Sequence, residues 1–223
     1  MYIAANFPQA SVLNPTAETF RDFLDQQGAF VFFITIFVGA GLIANDKRVN
    51  ALQIYLSKPM TRAEYVAGKI AILVTFLLLV TLVPAILLVL AQMILSGSTE
   101  FVRAHLFVVP AITVFSVVEA VVAAITMAAL SSSSKSGRFV AILYTGVMYF
   151  SEAIYGVVFL VTRGTSLSWI SLPGNLRQMG DLIFRLQPRY DTHPAITLLA
   201  LVVLVGISLF VLERSVRGVE VVT

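Results

Sequence analysis

Apolar residues in this chain come in long unbroken blocks separated by short polar segments, and the blocks set the predicted elements. A hydrocarbon core about 30 Å thick takes about 20 helical residues. Five stretches approach or exceed that length: 29–45, 66–95, 105–130, 139–162 and 194–212. The first is short, with Gly39 and Gly41 near its end, where a neighbouring helix can approach closely. The second contains Pro84, which a spanning helix tolerates and which predicts a kink. The pattern predicts an all-α polytopic bundle with a polar N-terminal segment 1–28, a transmembrane domain 29–217 and a tail 218–223.

Two polar connections carry helical patterns of their own. Residues 47–57, KRVNALQIYLS, put Val49, Leu52 and Leu56 on one face with Ala51 and Tyr55 beside them. Arg48, Asn50, Gln53 and Ser57 fall mainly elsewhere, so a short amphipathic helix is expected. Pro59 ends it, because the residue before a proline avoids the helical region. Thr61 with Glu64 three positions on is a capping box that starts the next helix and carries it through Lys69. In the connection 163–192, Leu176, Met179, Leu182, Ile183 and Leu186 recur at helical spacing, with Arg177, Gln178, Asp181 and Arg185 between them. This predicts an amphipathic helix lying at the membrane interface, anchored by Trp169.

Composition decides the solvent. The chain is 58% hydrophobic and 12% charged with a mean hydropathy of +0.92, against roughly 25% charged residues in a soluble domain. It reads as an integral membrane protein with the bilayer as its surroundings. The net charge of +3 and pI near 9.3 do not indicate nucleic acid, because the cations are dispersed between apolar blocks. They report topology instead. With the N-terminus outside, nine cations fall on the inner side (Lys47, Arg48, Lys58, Arg62, Lys69, Lys135, Arg138, Arg214, Arg217) and six on the outer (Arg21, Arg103, Arg163, Arg177, Arg185, Arg189). The expected placement is therefore a multi-pass protein of the cell (inner) membrane, N-terminus outside and C-terminus cytoplasmic.

Candidate chemistry is sparse. Glu119 and Glu152 each lie about 14 residues into a span, roughly 20 Å from its start. Intramembrane acids raise a functional question by default. Three readings stand: protonated carboxyls bonded to Thr113, Ser116, Thr145 or Ser151, the lining of a translocation route, or a proton relay. The absence of cysteine excludes thiolate sites. His105 and His193 sit at span ends without a metal-ligand pattern, so no metal is expected. No phosphate-binding G-x-x-x-x-G-K-[ST] occurs; the AGKI at 67–70 lacks its spacing and hydroxyl, so no ATP hydrolysis, and no enzyme, is expected on this chain.

The run VGAGLIANDKRVNALQIYLSKPMTRAEYVAGK, residues 38–69, resembles type-2 ABC exporter permeases, the NosY-like group included. The resemblance rests on Gly41, Asp46, Tyr55, Leu56, Ser57, Lys58, Pro59, Thr61, Arg62, Tyr65, Gly68 and Lys69. The segment LSWISLPGNLRQMGDLIFRL is also similar to that family's stretch before its last span. The resemblance implies six spans, the first of which would precede residue 1. It further implies a cytoplasmic coupling helix seated on an ABC ATPase subunit that holds the ATP and magnesium, and a second permease half, either an identical or a related chain. A coupling role would fall to Asp46, Lys47, Arg48, Asn50, Leu52, Tyr55, Leu56, Lys58, Pro59 and Arg62. A translocation role would fall to Glu119 and Glu152, and an outer gate to Trp169, Arg177 and Asp181. Two other functions fit the residues: a non-transporting membrane scaffold or regulatory subunit, and a proton-coupled secondary transporter using Glu119 and Glu152.

Overall fold

The computed structural model describes residues 16–51, 61–96 and 107–217. It is helical, with no strand among the described residues. Helix α1 (Ala17–Ile34) passes through a π-helical turn (Thr35–Gly39) to a short α2 (Ala44–Arg48). Then come α3 (Arg62–Ser96), α4 (Val108–Ser132), α5 (Gly137–Thr162), a 3-10 turn (Ser168–Ile170), α6 (Leu172–Ile183) and α7 (Pro194–Arg217). Five stretches are long and apolar enough to cross a membrane: Ala17–Arg48, Arg62–Ile94, Val108–Ser132, Gly137–Thr162 and Pro194–Val216. They match the five expected spans one for one.

The central helix is α4, which packs against α1, α3, α5, α6 and α7. Its sequence explains the position. Ala120, Ala123, Ala124, Ala128 and Ala129 are all buried, and such small side chains let neighbouring helices come close where lipid offers no hydrophobic drive. Leu73 and Leu77 of α3, Val31 of α1 and Tyr144 of α5 close on that surface together with Met127. Gly39 completes the contact, since a Cβ there would lie 2.5 Å from Met127 Cγ and 2.9 Å from Leu73 Cδ2. By contrast α5 buries only Val140 and Tyr144 and leaves Phe139, Ile142, Phe150 and Leu160 exposed, a surface suited to lipid.

Three expectations need correction. First, the helix of the first span begins at Ala17, so residues 17–28 are helical and not a tail. Phe20, Leu24, Gln27 and Val31 form a buried stripe along α1, and Thr16, extended before the helix, donates its N–H to Thr19 Oγ1 at 3.1 Å. A hydropathy window misses these turns because they are charged, although Arg21 and Asp25 find partners in α6 and in the segment after it. Second, the helix expected at 47–57 is interrupted near its start: α2 stops at Arg48, Asn50 takes a left-handed φ of 54°, a conformation asparagine tolerates, and Ala51 is helical again. Leu52, Tyr55, Leu56, Lys58 and Pro59 lie outside the described residues. Third, α6 is a helix, but its polar face is turned into the bundle and not outward. It buries Asn175, Gln178 and Asp181 along with Leu172, Gly174 and Gly180, and packs against α4, α5 and α7. Its polar face points inward because partners wait there: Asn175 donates to Trp169 O at 2.7 Å, Gln178 donates to Thr192 O at 2.6 Å, and Thr197 Oγ1 donates to Gln178 Oε1 at 3.0 Å.

The capping box is present as expected. Thr61 N–H donates to Glu64 Oε2 at 2.7 Å and Glu64 N–H donates to Thr61 Oγ1 at 3.2 Å. From there α3 runs unbroken past Pro84.

A side chain at position 39 has no room unless Met127 and Leu73 move. Gly39→Leu is therefore expected to cost about 1–3 kcal/mol, the range for overpacking. A lowered midpoint of thermal unfolding in detergent, followed by size-exclusion chromatography, would register it; an unchanged midpoint would mean that the contact of the π-helical turn with α3 and α4 is loose.

Candidate functional site

Two ends of the bundle and one cavity bring the candidate residues together. At one end α2 is locked in place by the helices around it. Asp46, in the first turn of α2, accepts a hydrogen bond from Tyr65 Oη at 2.6 Å and pairs with Lys69 Nζ at 2.7 Å, both on α3. Lys47 donates to the carbonyl oxygens of Ser132, at the end of α4, and of Ser215, on α7, the latter at 3.1 Å. The last carbonyls of a helix have no partner within it and carry the negative end of its dipole, so an ammonium group is well placed there. Ser131 Oγ adds a third tie, donating to Ala40 O and accepting from the N–H groups of Ile43 and Ala44, each at 3.0 Å.

Asp46 and Lys47 are thus turned into the bundle, while Arg48 and Asn50 are exposed. Arg62, also exposed, lines a groove of about 420 Å³ between the start of α3 and the end of α7, with Val66, Leu212 and Glu213. The residues placed together by spacing in the sequence therefore divide into an internal joint and an exposed edge.

At the opposite end Asp181 is fully buried and held by two arginines. Arg21 Nη1 pairs with Asp181 Oδ1, and Arg189 meets both carboxylate oxygens through Nε and Nη2 at 2.9 to 3.3 Å. The backbone N–H of Arg189 donates to Oδ2 at 3.0 Å. Arg189 also reaches Asp25 at 2.8 Å, and Arg21 reaches Glu18 at 3.1 Å. Burial disfavours the Arg189 cation, but the hydrogen bonds to Asp181 and the charge of Asp25 outweigh it and hold its pKa above the usual guanidinium range. Asp181 is therefore a structural clamp joining α1, α6 and the chain after α6. Trp169 stays half exposed on the surface, with its carbonyl used by Asn175.

Between these ends lies a cavity of about 360 Å³ bounded by α1, α4, α5 and α6, and both intramembrane acids line it. Their surroundings differ. Glu152 receives a hydrogen bond from Ser171 Oγ and pairs with Arg177 Nη1 at 3.1 Å. Ser151 beside it accepts from the N–H of Leu172 at 3.2 Å, so α6 starts at a level well inside α5, about 16 Å short of its end at Thr162. Arg177 stays charged: burial opposes the cation, and hydrogen bonds to Tyr190 and Glu152 more than offset it, raising its pKa. Glu119 is 6% exposed, makes no ion pair among the described residues, and its Oε2 has no hydrogen-bond partner there. The chain matches no family model and no curated protein sequence.

Of the sequence-derived site residues, the cavity gathers Glu119, Glu152 and Arg177, and leaves Asp181 and Trp169 outside it. Sequence reasoning missed Arg21 and Arg189 as partners of Asp181 and Asp25 as a second partner of Arg189, and missed Tyr144 and Tyr149 as cavity walls. One signal was present: Arg21 and Asp25 stand four apart, on one helical face with Leu24.

Asp181→Asn would leave two arginines facing a neutral amide. The expected loss is about 3–5 kcal/mol, as for a broken buried ion pair, visible as a large drop in thermal midpoint. Glu18→Gln, at a largely exposed partner of Arg21, is expected to change it little. Equal midpoints for the two variants would remove Asp181 from its structural role.

Proposed function

We propose that this chain is the membrane-spanning permease subunit of an ABC transporter, forming part of the translocation route and driven by a separate cytoplasmic ATPase. The observation that carries this reading is the joint around α2. A short element whose Asp46 is tied to α3, and whose Lys47 is tied to the ends of α4 and α7, cannot be pushed without moving those helices. The same element leaves Arg48 and Asn50 free to meet a protein surface. The density of motif residues from Gly41 to Lys69 supports the same conclusion.

In this reading the α2 end faces the cytoplasm and the Asp181 end faces outward, in the inner membrane, with ATP and magnesium bound by the partner ATPase. A second permease half, either an identical or a related chain, completes the route. The pairing of Glu152 with Arg177 and Ser171 weighs against a proton relay that needs both acids free.

The test is co-purification of the full chain with the P-loop ATPase encoded nearest to it, together with ATP turnover by the complex. Arg48→Glu combined with Leu52→Asp is expected to abolish association while the permease stays monodisperse in detergent. Lys47→Ala is expected to keep the ATPase bound and to uncouple its turnover from transport. Retention of the ATPase by the double variant, or no ATPase bound to the wild type, would overturn the reading in favour of a scaffold.

A further inference from the structure

The cavity has a wall chemistry that selects a class of guest. Its volume, about 360 Å³, lies within the range that holds a small organic molecule. Three carboxylates line it, Asp25, Glu119 and Glu152, against one cation, Arg177. Asp25 is neutralised by Arg189 and Glu152 by Arg177, which leaves Glu119 with no opposite charge among the described residues. A carboxylate buried in apolar surroundings is costly as an anion unless a positive group is brought to it.

Aromatic rings surround the same space. Phe32 is stacked on Tyr144 with centroids 5.9 Å apart and meets Tyr149 edge-on at 5.3 Å, and all three line the cavity. The faces of such rings attract ammonium groups within about 6 Å. An anionic guest would meet an excess of negative charge. A divalent metal ion needs about six oxygen ligands, and no group of three or more acidic, histidine or cysteine side chains suited to a metal occurs among the described residues.

We propose that this cavity binds a monovalent organic cation, an amine or quaternary ammonium on an apolar body, with its charge against Glu119 and its body against Phe32, Tyr144 and Tyr149. As a statement about transported cargo this rests on the permease reading; as a statement about binding it does not.

Equilibrium binding of ethidium to the full chain in lipid nanodiscs, read by fluorescence anisotropy with empty nanodiscs as background, tests it. Saturable binding at one site is expected. Glu119→Gln should weaken it about tenfold or more, whereas Glu119→Asp, which keeps the charge, should retain most of the affinity. Tyr149→Leu, at a position 62% exposed and so safe for folding, should weaken binding about threefold. Binding of an anionic naphthalenesulfonate dye should not depend on Glu119. Absence of saturable binding, or equal affinity in wild type and Glu119→Gln, overturns the proposal. If Glu119→Gln does not fold, unchanged affinity in Tyr149→Leu overturns it instead. Lost binding with the ATPase still associated sinks this inference and spares the permease reading, and retained binding without an ATPase does the reverse.

Discussion

Asp181 has no exposed surface, and a carboxylate so placed is stable only if cations come to it. Much of one end of this bundle follows from that constraint. Arg21 must be helical and close, so α1 begins early enough to carry it. Arg189 must fold back over α6, so the chain after Ile183 closes on the helix it has just left. The polar face of α6 has to turn inward to deliver the carboxylate, and Gln178 and Asn175 are buried with it: Gln178 bonds to Thr192 O and Thr197, and Asn175 donates to Trp169 O. A helix with an amphipathic pattern fit for a membrane surface is thereby recruited into the packed interior.

The opposite end solves a different problem by the same means. Helices α4 and α7 terminate with carbonyls that lack intrahelical donors, and Lys47 supplies one to each. Ser131 ties the turn before α2 to α4 through both donors and an acceptor. The close approach of Gly137 to the backbone of Gly41, where a Cβ would stand 3.4 Å from Cα, brings the start of α5 against the same turn. The short α2 and the turn before it thus continue from α1 and make contacts with α3, α4, α5 and α7. That property is what the proposed transport function requires of the element between the first two spans.

Between the two ends, Glu119 and Glu152 show how little a residue type says without its neighbours. Both are acids near the middle of long apolar helices. One is answered by an arginine and a serine from α6, and the other faces a cavity of aromatic rings with an oxygen unsatisfied. The first holds α6 against α5, while the second lies against the aromatic wall of the cavity without an opposite charge among the described residues.

The sequence by itself determined the helical class, the five apolar stretches, the Thr61–Glu64 capping box and the helical spacing from Leu176 to Leu186. Each of these depends on residues within a few positions of one another, through rise per residue, periodicity and local hydrogen bonding. What only the tertiary structure decided is which charges are paired and which faces are buried. Arg21 and Asp181 are 160 positions apart, and Lys47 and Ser215 are 168. A hydropathy window counts Arg21 and Asp25 as polar and ends the span at residue 29, yet once their charges are met from α6 and the segment after it, residues 17–28 join the helix. The inward turn of α6 has the same origin: an amphipathic pattern has two faces, and which one meets the core depends on where donors and cations from distant segments come to rest.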